Sequence, residues 1–292
     1  MAQSLIPKRI VQTGKVAQPL HIRAMMANMR LQNPDFEYLF YDDVSIERFV
    51  NQEFSQYRSV FDAFPLNIQR IDFFRYLAIY RLGGFYFDID VLMNSGITEL
   101  CNYSSVFSFE GFTFSPYLRR QFRMDWEIGN FGFGATEGHP FLEAVIENCI
   151  RAQKDRLWVN QMLRGTPFLS RPQRYVLYST GPGLVTRTFA ENPTLARSVK
   201  VLFPNDVLDN TSWCCFGDYG AHMMTGTWRS KKAPIFRRFV SELANFKMRR
   251  LLRKSAALGK TRSHIYTANA DVEQGLTVDS GAVSSTGHLG NR

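Results

Sequence analysis

Two adjacent glycines split residues 75–91, RYLAIYRLGGFYFDIDV, into a helix and a strand, and the strand delivers two carboxylates at its end. Upstream of the glycines, Gln69, Asp72, Arg75 and Tyr76 fall on neighbouring i, i+3 and i+4 rows, while Phe74, Leu77, Ala78 and Leu82 can serve a core. One face of that helix is therefore aimed at something polar. Downstream, strand alternation puts Asp88 and Asp90 on the same face, about 7 Å apart at roughly 3.3 Å rise per residue, with Ile89 turned into the core. Two hard oxygen ligands on one face suit a divalent cation. Mg²⁺ and Mn²⁺ sites in phosphate-handling enzymes need only one or two protein carboxylates, because phosphate oxygens and water complete the shell. The implied ligand is a diphosphate. The plainer alternative is a turn in which short acidic side chains bond nearby backbone N–H groups.

The surroundings predict an open α/β sheet. Residues 8–14, KRIVQTG, read as a short apolar strand and residues 17–33 as a helix; residues 36–43, FEYLFYDD, read as a second strand whose terminal acids cap a helix over 44–50. This is β-α-β alternation, and ligands of such sheets bind outside the carboxyl ends of the strands, where Asp88 and Asp90 stand. The 292 residues, 45% of them apolar with 25 Phe, are expected to form one catalytic domain over 1–254. From about Ser255 large apolar side chains give way to Ser, Thr, Gly, Ala and Asn, so 255–292 reads as a flexible tail.

Four cysteines, two of them adjacent and none in C-x-x-C spacing, disfavour a zinc site and a disulfide framework and point to a reducing compartment. The first residues lack the apolar centre of a secretory signal, and no 18-residue apolar run occurs, so a cytoplasmic location is expected. The net charge of +9 is concentrated. Between 231 and 254 nine Lys or Arg face a single acid, Glu242, with Phe and Leu near helical spacing. That is a basic amphipathic helix, which either packs its apolar stripe on the sheet or makes a peripheral contact with an anionic inner membrane face. Nucleic acid is not an expected partner, because no aromatic single-strand platform is interleaved with the basic residues.

Six ordered blocks resemble glycosyltransferase family thirty-two, whose sugar-binding region contains a DXD motif and is shared with the glucosylating domains of large clostridial toxins. They are residues 6–14 (IPKRIVQTG), 34–43 (PDFEYLFYDD), 70–91 (RIDFFRYLAIYRLGGFYFDIDV), 128–142 (IGNFGFGATEGHPFL), 180–186 (TGPGLVT) and 222–228 (HMMTGTW). Two departures stand out: Val11, Gln12, Thr13 and Gly14 occupy the opening motif where the family often has His-Gln followed by Trp, and Thr227 replaces a usual Ser. No aromatic is left at the base-stacking position, and a hydroxyl is kept at the phosphate position.

The resemblance implies a GT-A fold, a Rossmann-like mixed sheet flanked by helices, with the nucleotide across the carboxyl ends of the first parallel strands. It implies that Asp90 binds Mn²⁺ or Mg²⁺ directly and that Asp88 approaches the ribose or binds the metal through water. Asp72 then holds sugar hydroxyls, and Arg75 contacts sugar or diphosphate. Trp228 donates its indole N–H to the leaving diphosphate. Gln12, Thr13, Tyr86, Asn130 and Thr227 are the remaining candidates for contact with donor or acceptor, and His222 is a candidate third metal ligand or a structural histidine. His139 reads as a helix cap. The implied activity is metal-dependent, retaining transfer of a hexose from a UDP- or GDP-sugar to a hydroxyl of a glycan, glycolipid or protein. Acceptor contacts are expected from 101–128 and 153–175. Two other readings stay open: a haloacid-dehalogenase-like phosphohydrolase, in which the first Asp is a nucleophile, and a catalytically silent sugar-binding protein.

Overall fold

The computed structural model describes residues 5–113, 115–164, 171–204, 206–207 and 212–224. Thr227, Trp228, the basic segment 231–254 and the tail 255–292 lie outside the described residues. The chain opens with β1 (Arg9–Thr13), α1 (Leu20–Gln32), β2 (Glu37–Tyr41), α2 (Asp43–Glu53), α3 (Arg58–Ala63), α4 (Asn67–Leu82), β3 (Gly84–Phe87) and β4 (Val91–Met93). There follow β5 (Ser105–Phe112), α5 (Pro116–Phe122), β6 (Trp126–Ala135), α6 (Pro140–Lys154), α7 (Arg156–Leu163), α8 (Arg171–Ser179) and α9 (Pro182–Glu191). The last described elements are α10 (Pro193–Ala196), β7 (Lys200–Leu202), β8 (Cys215–Phe216) and β9 (Gly220–His222).

Six strands form one mixed sheet in the order β2-β1-β3-β6-β5-β7, and β4, β9 and β8 form a small second sheet. β1 runs parallel to β2 and β3, β6 is antiparallel to β3 and β5, and β7 is parallel to β5. This is the Rossmann-like mixed α/β class that the sequence implied. β3 is wholly buried, and its alternation feeds two cores. Tyr86 points to the layer of α4 and α6, where Phe133 stacks on Phe107 with centroids 5.0 Å apart. Phe85 and Phe87 point the other way, against Phe36 and Phe216.

Local chemistry sets the element ends. Asp42 caps α2, accepting from the Ser45 N–H at 2.8 Å, while Ser45 Oγ accepts from the Asp42 N–H at 2.8 Å. His139 caps α6, its Nδ1 accepting from the Phe141 N–H at 3.2 Å, with Pro140 in the first turn. Between α4 and β3 the backbone passes through φ values of 63° at Gly83 and 101° at Gly84. A Cβ on Gly84 would also stand 2.6 Å from the Arg9 carbonyl oxygen, so this turn needs glycine to let β3 settle beside β1.

The structure corrects one expectation of geometry. β3 ends at Phe87, and Asp88 to Val91 form a tight turn closed by the Val91 N–H donating to the Asp88 carbonyl at 3.1 Å. Asp88 and Asp90 converge because the chain turns, not because an extended strand alternates. The expected acceptor region 101–128 is likewise mostly regular structure, carrying β5 and α5.

Candidate active site

The turn after β3 and the end of β9 build a three-ligand cluster. β9 pairs antiparallel with β4, Val91 opposite His222, and the Met223 N–H donates to the Asp90 carbonyl at 2.9 Å. His222 Nε2 thereby comes to 3.1 Å from Asp90 Oδ1 and 3.8 Å from Asp88 Oδ2. One ligand atom from each of Asp88, Asp90 and His222 lies within 4.8 Å of the others. Phe131 stacks on the imidazole with centroids 4.8 Å apart and fixes its plane. Burial alone would lower the His222 pKa, but the hydrogen bond with Asp90 and the charges of Asp88, Asp90 and Glu110 raise it on balance. Two carboxylates and an imidazole with such spacing fit Mn²⁺ or Mg²⁺ as a donor set, Mn²⁺ better because imidazole is a softer ligand.

Beside the cluster, α4 presents its polar face to the strand ends, and that face is buried. Arg75 Nη2 lies 3.0 Å from Asp72 Oδ1, Nη1 lies 3.3 Å from Asp88 Oδ1, and Nη1 donates to the Asn130 carbonyl at 2.7 Å. The guanidinium also sits over the Tyr86 ring, 4.5 Å from its centroid. Its Nε has no hydrogen-bond partner among the described residues. Burial works against the Arg75 charge, and Asp88, Tyr86 and Asp72 overcome it, so its pKa stays raised and the group cationic. Asp72 accepts from Thr180 Oγ1 at 2.9 Å and from Asn130 Nδ2 at 3.4 Å. Burial nonetheless pushes its carboxyl up to about 6, with Asp88 adding to the rise and Arg75 and Thr180 opposing it.

Gln12, Thr13 and Tyr86 turn out to hold Asp88. Gln12 Nε2 donates to the Asp88 carbonyl at 3.1 Å, and Tyr86 OH donates to Asp88 Oδ1 at 2.8 Å. With its proton so used, Tyr86 accepts from Thr13 Oγ1 at 3.0 Å. Tyr86 and Gln12 are fully buried. Past them, between α1 and α2, opens a cleft of about 610 Å³ lined by Gln18, Arg23, Arg30, Phe40, Asp42 and Arg48. None of the cluster residues lines it. Gly14 links the two places, since the space at its Cα is bounded by Ile89 on one side and Phe40 on the other.

Residues 19–107 match the family described as a glycosyltransferase sugar-binding region containing a DXD motif. That stretch resembles a DXD-containing glycosyltransferase region. It holds Asp72, Arg75, Asp88 and Asp90. The chain is 31% identical over 179 residues to inositol phosphoceramide mannosyltransferase 3 of Schizosaccharomyces pombe, covering 61% of this chain and 43% of the relative. It is 26% identical over 223 residues to inositol phosphoceramide mannosyltransferase 2 of the same yeast, covering 73% and 57%. The initiation-specific alpha-1,6-mannosyltransferase of that yeast is 27% identical over 198 residues, 62% of this chain and 47% of the relative. The chain thus spans about half the length of these curated relatives. Among solved structures, the PaToxG glycosyltransferase overlaps with a TM-score of 0.44 at 15% identity, covering 64% of this chain and 70% of that one. The UDP-bound glycosyltransferase domain of the YGT toxin overlaps with a TM-score of 0.41 at 11% identity, covering 68% and 80%.

The fold brings together Gln12, Thr13, Asp72, Arg75, Tyr86, Asp88, Asp90, Asn130 and His222; Thr227 and Trp228 lie outside the described residues. Sequence reasoning missed Thr180, whose hydroxyl holds Asp72; Tyr76, expected on the polar face of α4 but given no role, donates its OH to the Thr180 carbonyl at 2.7 Å and accepts from Asn130 Nδ2 at 2.8 Å. The TGPGLVT block was the available signal for Thr180, since a hydroxyl just before a helix-starting Gly-Pro has its backbone placed by that helix.

Proposed function

We propose that this chain is a metal-dependent, retaining glycosyltransferase that moves a hexose, mannose first among the candidates, from a nucleotide-sugar to a hydroxyl of a glycan or glycolipid. The observation that carries this reading is the Asp88–Asp90–His222 cluster beside the buried Asp72–Arg75 pair. Asp88, Asp90 and His222 would hold a divalent cation, which when bound would supply positive charge to the diphosphate of the donor. The names of the yeast relatives favour mannose as the sugar and an inositol phosphoceramide-like glycolipid as the acceptor.

The chain's own residues do the rest. The nucleoside lies toward the cleft beside Gly14, and Phe40 offers the aromatic surface that the β1 motif lacks. Asp72 accepts a hydrogen bond from a sugar hydroxyl, and Arg75 offers its Nε to the sugar or the bridging oxygen. Thr227 and Trp228 add donors to the diphosphate. The bond from the anomeric carbon to the diphosphate breaks as the acceptor oxygen bonds to that carbon on the same face, and the acceptor proton passes to the departing diphosphate. In this reading Asp88 is a ligand rather than a nucleophile, with its Oδ1 held by Tyr86 and Arg75. The basic segment 231–254 holds the enzyme at an anionic membrane surface on the cytoplasmic side.

The test is release of nucleoside diphosphate from a panel of GDP- and UDP-sugars with Mn²⁺. One donor is expected to turn over, with EDTA abolishing release and Asp90→Ala lowering it on the order of 10²- to 10³-fold. Release from no donor, together with hydrolysis of simple phosphate esters, would sink the transferase reading.

A further inference from the structure

Thr180 stands in the short link between α8 and α9 and is fully buried. A threonine in or beside a helix commonly gives its hydroxyl proton back to the carbonyl four residues earlier. Thr186 and Thr188 of α9 do so, at 2.7 Å from the Pro182 carbonyl and 3.0 Å from the Leu184 carbonyl. Thr180 does not. Its Oγ1 lies 3.5 Å from the Val176 carbonyl but 2.9 Å from Asp72 Oδ2, and a hydroxyl has one proton to give. The link is held while that proton turns outward, since the N–H groups of Thr180 and Gly181 both donate to the Val176 carbonyl, at 3.1 and 3.0 Å. The proton therefore goes to a carboxylate on α4.

Thr180 also governs the other oxygen of the same carboxylate. Its carbonyl accepts from Tyr76 OH at 2.7 Å, Tyr76 OH accepts from Asn130 Nδ2 at 2.8 Å, and Asn130 Nδ2 donates to Asp72 Oδ1 at 3.4 Å. With the bond from Thr180 to Oδ2, these contacts close a ring through Asp72, Thr180, Tyr76 and Asn130. Arg75 adds its charge, Nη2 lying 3.0 Å from Oδ1. Oδ1 is thus shared between Asn130 and Arg75, whereas Oδ2 has Thr180 as its one partner among the described residues. A carboxylate oxygen accepts two hydrogen bonds. Oδ2 keeps one acceptor position, and the bond from Thr180 sets where it points.

We propose that Thr180 is a positioning residue for the donor sugar, which turns Asp72 so that the open side of its Oδ2 accepts one particular sugar hydroxyl. Thr180 acts through Asp72 and does not itself touch the sugar. This rests on the transferase reading above, in which Asp72 accepts from a sugar hydroxyl.

The experiment compares the full chain with Thr180→Val, which keeps the shape and removes the proton, and with Thr180→Ser, which keeps the proton. The donor is whichever of GDP-mannose and UDP-glucose turns over, together with its monodeoxy forms, at about pH 8, above the value of about 6 near which Asp72 titrates. Calorimetric binding of the matching nucleoside diphosphate with Mn²⁺ reports on folding and on the part of the donor outside the sugar. Thr180→Val is expected to lower kcat/KM for the intact donor about 10- to 100-fold, with nucleotide Kd unchanged and Thr180→Ser within about threefold of the unaltered chain. For the one deoxy donor that lacks the hydroxyl held by Asp72, the same substitution is expected to cause no further loss, because the two changes remove one interaction. Unchanged kcat/KM in Thr180→Val overturns the proposal. So does an equal loss with every deoxy donor, which would leave Thr180 a packing residue, and so does a fall in nucleotide affinity, which would tie it to the diphosphate side. If the unaltered chain turns over neither donor, the transferase reading falls and takes this role of Thr180 with it.

Discussion

Two buried arginines show what separates a structural cation from a working one. Arg187, on α9, has every nitrogen occupied: Nε donates to Glu191, Nη1 to the Trp158 carbonyl at 2.8 Å, and Nη2 to Tyr117 OH and Gln161 Oε1. Trp158 also covers it, 3.7 Å from the guanidinium carbon to the ring centroid. It is a complete joint between α7 and α9. Arg75 faces two carboxylates and keeps Nε without a partner among the described residues. A buried donor left over costs on the order of 1–3 kcal/mol, and folds retain such a group where a ligand will use it.

That contrast is open to a direct break. Lysine keeps the charge at either position and removes the planar fork. Arg75→Lys is expected to lower turnover of the donor on the order of 10²-fold with little change in Tm. Arg187→Lys is expected to lower Tm and leave turnover per folded molecule nearly unchanged. Equal losses of turnover in both variants would erase the distinction. A smaller effect sharpens it from the other side of the ion pair. Tyr86→Phe removes the hydroxyl that links Thr13 to Asp88, and turnover is expected to fall about tenfold with about 1 kcal/mol of stability. If turnover held while stability fell, Tyr86 would serve packing alone.

The smallest expected effect concerns Glu127, on β6, a second polar group sealed into the same layer as Arg187. Burial pushes its carboxyl up to about 7, with Glu110 adding to the rise and hydrogen bonds from Thr113 and Tyr178 opposing it. In the unfolded chain the same carboxyl titrates near 4.3, at the ordinary value. Its contribution to stability is therefore complete below that value and is lost as pH rises through about 7. Glu127→Gln cannot ionise. Thermal melts are expected to show it gaining on the unaltered chain between pH 5 and 8, by on the order of 1 kcal/mol. A difference that does not vary with pH would mean that Glu127 stays ionised in the fold.

Much of the site could be read from local pattern because it is local. The α4 helix, the Gly-Gly turn and the rows holding Asp72 and Arg75 follow from spacing within one helix, and capping by Asp42 and His139 follows from side chains adjacent to helix starts. Alternation misjudged Asp88 and Asp90 because the turn belongs to a crossing from the large sheet to the small one, and no residue preference announces that crossing. His222 could be suspected but not placed, since its partner strand is 131 positions away in register with Val91. Thr180 reaches Asp72 across 108 positions.

By itself, then, the sequence determined which groups this protein can use: an α/β chain in which an apolar strand is followed by two carboxylates, with a helix before it carrying an acid and a base three residues apart. Side-chain period and backbone freedom at glycine are properties of a few neighbouring residues, and they suffice for that much. Only the tertiary structure decided which groups meet. It turned Asp88 and Asp90 toward His222 and buried the Asp72–Arg75 pair beneath Thr180. Those meetings depend on strand order and register, which are set by packing across the whole sheet rather than by any segment alone.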